Sequence, residues 1–172
     1  MKSFAHLTAF LSLLLSGAMF GFFYAWVCST MWGLDAAPPT VSIQAMQAMN
    51  ASVRNSVFAP AFFGTPVALL LAAGVAYAVR SNVSAAAFAL AAVVYLFGVF
   101  AVTMLVNVPM NQALAAIDVA SARDQAERLW QDYSVPWQAW NAARAVAAGV
   151  ALLLTGIGLK VMGSRGTTAG GT

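Results

Sequence analysis

"AAFALAAVVYLFGVFAVTMLV", residues 86–106, runs without a single charge, and "NVPMNQ", residues 107–112, follows it at once. A helix that crosses a bilayer needs about 20 mostly apolar residues, so this run is long enough to span hydrocarbon. Read on that test, the chain holds four spans, at 7–32, 57–79, 84–106 and 137–159. The first follows Lys2 and begins like a signal peptide. Its apolar stretch continues through Tyr24, Trp26 and Val27, beyond the usual core of about 7–15 residues, so it reads as a retained helix. Only "RSNVS", residues 80–84, separates the second and third spans, which makes them antiparallel neighbours joined by a tight turn. Residues 164–172, "SRGTTAGGT", read as a disordered tail, leaving one four-helix domain over 1–163.

Composition agrees. Of 172 residues, 62% are hydrophobic and 8% charged, against about 25% charged in soluble domains, and the mean hydropathy is +0.81. The net charge of +3 comes from charges scattered around the ends of the apolar runs, which excludes a basic nucleic-acid-binding face. One cysteine, Cys28, and one histidine, His6, exclude an intrachain disulfide and leave few donors for a resident metal or haem, so neither metal nor cofactor is expected.

Charge also orients the chain. Lys2, Arg80, Lys160 and Arg165 fall on one side with no acid beside them. Asp35, Asp118, Asp124, Glu127 and Asp132 fall on the other, with Arg54, Arg123 and Arg128. The positive-inside rule puts the first side, with both termini, in the cytoplasm. The expectation is an all-α, multi-pass protein of a bacterial inner (plasma) membrane. Trp26, Trp32, Trp130, Trp137 and Trp140 all lie toward the outer face, where amphipathic rings form a belt.

Two helical connections are expected outside. In 40–56, Gln47, Asn50 and Arg54 share one helical face, beside a packing stripe of Met46 and Met49. The second, 109–133, opens with Pro109, a favourable first helical residue. Asn50/Arg54 and Asn141/Arg144 precede similar apolar runs, the mark of two repeated hairpins.

The polar residues need compensation. A fourth span starting at Pro136 puts Arg144 roughly 12 Å along its axis, near the positive end of its dipole, where a cation is disfavoured. Unpaired amides at Asn107, Asn111 and Asn141 also cost free energy in hydrocarbon. One shared site relieves all of these, with Trp137, Asn141 and Arg144 facing Asn107, Asn111, Asn50 and Arg54. Plainer roles stay open: Asn107 bonding the last carbonyls of its helix, and Arg54 and Arg144 snorkelling to headgroups.

These motifs resemble the anthrone oxygenase-like family, also called DUF1772, in its bacterial members. The resemblance rests on Asn107, Pro109 and Asn111, on Trp137, Trp140, Asn141 and Arg144, and on Met49, Asn50 and Asn55. It implies cofactor-independent oxidation of a small aromatic or polyketide substrate by O₂. Arg144, Asn141, Asn107 and Asn111 are then the catalytic candidates, stabilising an oxyanion. Trp137, Trp140, Asn50 and Arg54 would hold the substrate, and Asp132 is the nearest acid to nominate as proton acceptor. The alternative is a membrane protein that only binds a small ligand, or an accessory subunit whose polar cluster fastens helices.

Overall fold

A computed structural model describes residues 2–167, all of whose regular elements are helical. Helix α1 covers Ser3–Asp35, α2 Pro39–Ser52, α3 Phe58–Ala78, α4 Asn82–Ala115 and α5 Ala126–Thr167. Among the described residues, four helices (α1, α3, α4 and α5) are long and apolar enough to cross a membrane. They form a ring in which each packs antiparallel on its neighbours, in the order α1, α3, α4, α5. The first span is part of the bundle itself, burying Ala5, Ala9, Met19 and Phe23 in the common core. Past Thr167, the tail expected over 164–172 lies outside the described residues.

The ring closes flush at one end, where both described chain ends lie. There α3 meets α4 through a turn only a few residues long. The Ser81 amide bonds the Ala76 carbonyl (2.9 Å) and the Arg80 amide bonds that of Tyr77 (2.9 Å). This double closure requires a left-handed residue, supplied by Arg80 at φ 61°.

At the other end the helices differ in length. Helix α3, with 21 residues, is roughly 32 Å long, about one hydrocarbon thickness. Helices α1, α4 and α5 continue roughly 18–32 Å past its end at 1.5 Å per residue. Helix α2 fills the space left above α3. The projecting ends and α2 enclose a second core of Met31, Ile43, Met46, Leu114, Trp130, Tyr133 and Trp137.

Several expectations change as a result. The second outer connection is no separate helix: α4 runs straight through Pro109 to Ala115, and α5 starts ten residues before Pro136. Pro109 interrupts nothing because π-helical turns at Leu96–Ala101 and Thr103–Asn107 precede it, and Pro136 lies inside the helix. Arg54 lies beyond the end of α2, so Asn50 and Arg54 do not share a helical face as Asn141 and Arg144 do. Helices α4 and α5 approach closely at Gly98, where an added Cβ would lie 2.5 Å from the Ala147 Cβ. Trp130 is no belt residue. It is 4% exposed and donates through Nε1 to Asp35 Oδ1 (2.9 Å), whereas Trp32 is 68% exposed.

Trp130→Ala is therefore expected to cost about 3–5 kcal/mol, the usual loss for a buried Trp, and Trp32→Ala within about 0.5 kcal/mol. Thermal unfolding of the two variants in one detergent measures the difference.

Candidate functional site

Trp130, Tyr133, Trp137, Asn141 and Arg144 recur at steps of three and four along α5, which puts them on one face, and all five are buried. A second stripe runs along α4 through Tyr95, Val99, Thr103, Asn107 and Asn111 at steps of four. In a regular helix each such step would drift roughly 40° around the axis. The two π-helical turns widen the helix and keep the stripe facing inward.

The stripes meet at Arg144, which is 5% exposed. Its Nη1 donates to Thr103 Oγ1 (3.1 Å) and its Nη2 to Asn141 Oδ1 (3.0 Å). Asn141 Nδ2 donates to the Phe23 carbonyl (3.1 Å), tying α5 to α1. The guanidinium carbon lies 4.8 Å from the centre of the Phe23 ring and 5.4 Å from that of Trp137, so ring faces replace part of its hydration. None of these partners is a carboxylate, and the Nε hydrogen has no protein acceptor.

Above the arginine sits a second network. Asn111 Oδ1 accepts from Tyr133 Oη (2.8 Å) and Trp137 Nε1 (2.9 Å). Asn50 Nδ2 donates to the same phenol oxygen (3.3 Å). Gln47, one turn earlier on α2, donates to the Leu114 and Ile117 carbonyls (2.8 and 3.0 Å) and so caps the end of α4. Asn55 accepts from the Val57 and Phe58 amides (both 2.8 Å), satisfying free donors where α3 begins.

Between the two networks lies a cavity of about 500 Å³, within the range of small-ligand sites. Phe22, Phe23, Trp26, Phe58, Phe62, Phe63 and Trp137 give it aromatic walls. Its polar lining is Asn50, Arg54, Asn55, Thr103, Asn111, Gln112 and Arg144, with no Asp, Glu or His.

Of the residues singled out in the sequence, the cavity gathers Arg144, Asn111, Trp137, Asn50 and Arg54. Asn141 does not line it but positions Arg144. Asn107, 1% exposed, is not among the lining residues. Its amide has no hydrogen-bond partner, so it caps no helix end. Trp140, 43% exposed, points off the inward face of α5. Asp132 is exposed and pairs with Arg128 (3.6 Å), away from the cavity. Tyr133, Thr103 and the phenylalanine wall were not foreseen. Tyr133 continues the Trp137/Asn141/Arg144 face by one turn, which becomes visible only once α5 is known to pass through Pro136. Thr103 could have been found from its four-residue spacing to Asn107. Among the described residues no three His, Cys, Asp or Glu side chains gather as a metal site would require.

Asn141→Leu removes the partner of Arg144 Nη2 and the donor to Phe23, and an expected loss of about 1–3 kcal/mol follows from stranding buried polar groups. Trp140→Ala is expected to stay within about 0.5 kcal/mol. Melting midpoints in detergent, compared with that of the unaltered protein, check both.

Searches of curated proteins and of solved structures return no match. A family profile described as anthrone oxygenase matches residues 55–154, well over half of the chain. That stretch contains Asn55, Asn107, Asn111, Trp137, Asn141 and Arg144, while Met49 and Asn50 precede it. This four-span membrane protein belongs to the anthrone oxygenase family.

Proposed function

We propose that the protein oxidises a small hydroxylated aromatic substrate of anthrone type with O₂, in the cavity lined by Arg144 at the extracytoplasmic face. The observation that carries this reading is the buried guanidinium, with no carboxylate partner, facing an aromatic-walled cavity of about 500 Å³. A cation so placed is complementary to negative charge that develops on a bound ligand.

In an anthrone, loss of a proton from the ring methylene leaves a carbanion delocalised onto the carbonyl oxygen. Arg144 and Asn111 would stabilise that oxyanion while Trp137, Phe23 and Phe62 hold the ring. The carbanion passes one electron to O₂, and the resulting pair combines at the former methylene as a hydroperoxide. Loss of water then leaves a second carbonyl. One oxygen atom enters the product, the other leaves in water, and the four electrons taken by O₂ come from the CH₂ that becomes C=O. The substrate carbanion is the reductant, so this scheme calls on no resident cofactor.

The cavity lining supplies no carboxylate or imidazole as proton acceptor. Arg144 must act by acidifying the bound substrate, with water or hydroxide removing the proton. The catalysed rate is therefore expected to rise with pH across the range of roughly 4 to 7 in which carboxylates and histidines titrate, with no inflection there. A plateau with a carboxylate- or histidine-like midpoint would reveal a protein base and sink this step.

One observation favours a second reading. Arg144 and Asn141 together tie α1, α4 and α5 through Phe23 and Thr103, as a fastening in an accessory or ligand-binding protein would. Initial rates of anthrone oxidation above empty micelles separate the two. The oxygenase reading expects catalysis by the unaltered protein and a loss of about 100-fold in folded Arg144→Ala. Arg144→Lys is expected to recover only a part, since an ammonium cannot reproduce the planar two-donor fork. No rate above background, with both variants melting lower, would leave fastening as the role.

A further inference from the structure

A second hollow of about 390 Å³ adjoins the cavity on the side of the α1/α3 seam. The two share Phe22, Trp26, Met49, Val53, Asn55 and Phe58, so only these side chains stand between them. The register of the seam explains why it is open. A Cβ added at Gly64 would lie 3.9 Å from Leu15 Cδ1, and the Phe22 and Phe58 ring centres lie 4.9 Å apart. Between those two contacts Ala18 of α1 falls opposite Ala61 of α3. Where the flanking levels bring up a leucine or two phenylalanines, this level offers two methyl groups, and the seam gapes. Ala18 is exposed on the outer, membrane-facing surface of the bundle.

The polarity of the two adjoining hollows is one-sided. Arg144, Asn111 and Asn50 lie at the cavity end. The groove has polar groups only at its outer rim, from Ser52 and Asn55, and is otherwise apolar down to Ala18 and Met19. A compact polycyclic ring held at the cavity's polar end leaves this groove unused. An aliphatic chain attached to the ring would lie in it, with its far end toward hydrocarbon.

We infer that the ligand of this site is an amphiphile, a hydroxylated or carbonyl-bearing aromatic ring seated against Arg144 with an aliphatic tail in the Ala18/Ala61 groove. This rests on the proposed ring site and names its substrate class. It also gives the substrate a route, since a molecule of this kind is dissolved in the bilayer and enters sideways between α1 and α3.

Binding tests the idea apart from catalysis. Trp26 and Trp137 line the cavity, so their quenching reports occupancy. The probes are 5-methylresorcinol and 5-undecylresorcinol, titrated without O₂ into the purified protein at one fixed micelle concentration. Ala61→Phe and, on the facing wall, Ala18→Leu fill the groove without touching the polar end. Comparing each variant with the unaltered protein for the same probe cancels partitioning into micelles. The expected result is a weakening of about tenfold for the undecyl probe, as chain methylenes lose their burial, with the methyl probe within about twofold. Equal shifts for both probes, or no shift for either, would overturn the tail assignment and leave the groove to an ordinary lipid chain. Failure of both probes to quench the unaltered protein would overturn the ring site as well. Chain-dependent binding in a protein that never turns over an anthrone would sink the oxygenase reading and leave this one standing.

Discussion

A guanidinium buried among helices without an acid beside it is the constraint from which most of this structure follows. Insertion of an arginine costs roughly 2.5–3.5 kcal/mol at mid-bilayer and less toward the interface, where Arg144 lies, and no carboxylate among the described residues is bonded to it. Neutral groups disperse it instead: the Thr103 hydroxyl, the Asn141 amide oxygen and the faces of Phe23 and Trp137. Each comes with its own requirement. Thr103 faces inward because α4 takes π-helical turns, and Asn141 is held by a carbonyl of α1. A carboxylate in place of these groups would stabilise the arginine better and silence it toward any other anion.

The second determinant is a mismatch of lengths. Only α3 is cut to the bilayer; its three partners overshoot it on one side, and α2 lies in the vacancy. That arrangement puts a small, tightly packed core on top of the membrane bundle and leaves the joint between the two imperfectly filled. The cavity lies in this joint, floored by the first turns of α3 and roofed by the end of α2. Its volume is a product of architecture as much as of individual side chains.

The membrane class, the four spans and the existence of an outer helical layer were legible because they depend on apolar run length, which needs no tertiary information. Helix ends were not. Pro109 and Pro136 are ordinary start signals in isolation, and only packing on both sides of each proline shows that the helices pass through them. That error shortened the inward face of α5 by a turn, hiding Tyr133, and cast Trp130 as an interfacial ring when it serves a core. The cluster of Arg144, Asn111, Trp137, Asn50 and Arg54 could be drawn together from the cost of burying polar groups. The position of Trp140 could not, because a three-residue step from Trp137 places it near the same face by spacing, while the neighbouring helices leave it half uncovered. The phenylalanine wall was invisible for a different reason: in a chain so rich in apolar residues, nothing distinguishes those that line a hollow from those that fill a core.

The outer core draws its members from Met31 near the end of the first helix to Trp137 in the last. No contiguous half of the chain contains it. During synthesis the hairpin of α3 and α4 can form early through its short turn, but the roof has to wait for α5, whose residues complete both networks. Long-range closure of this kind is slow. Until it happens, Arg144 lacks the Phe23 face and the Thr103 hydroxyl, and α2 rests only on the ends of α1 and α4. Of the four spans the latest to leave the ribosome is thus the one that completes the pocket, so a chain caught before α5 packs would sit in the membrane with its three earlier spans in place and no capacity to hold a ligand.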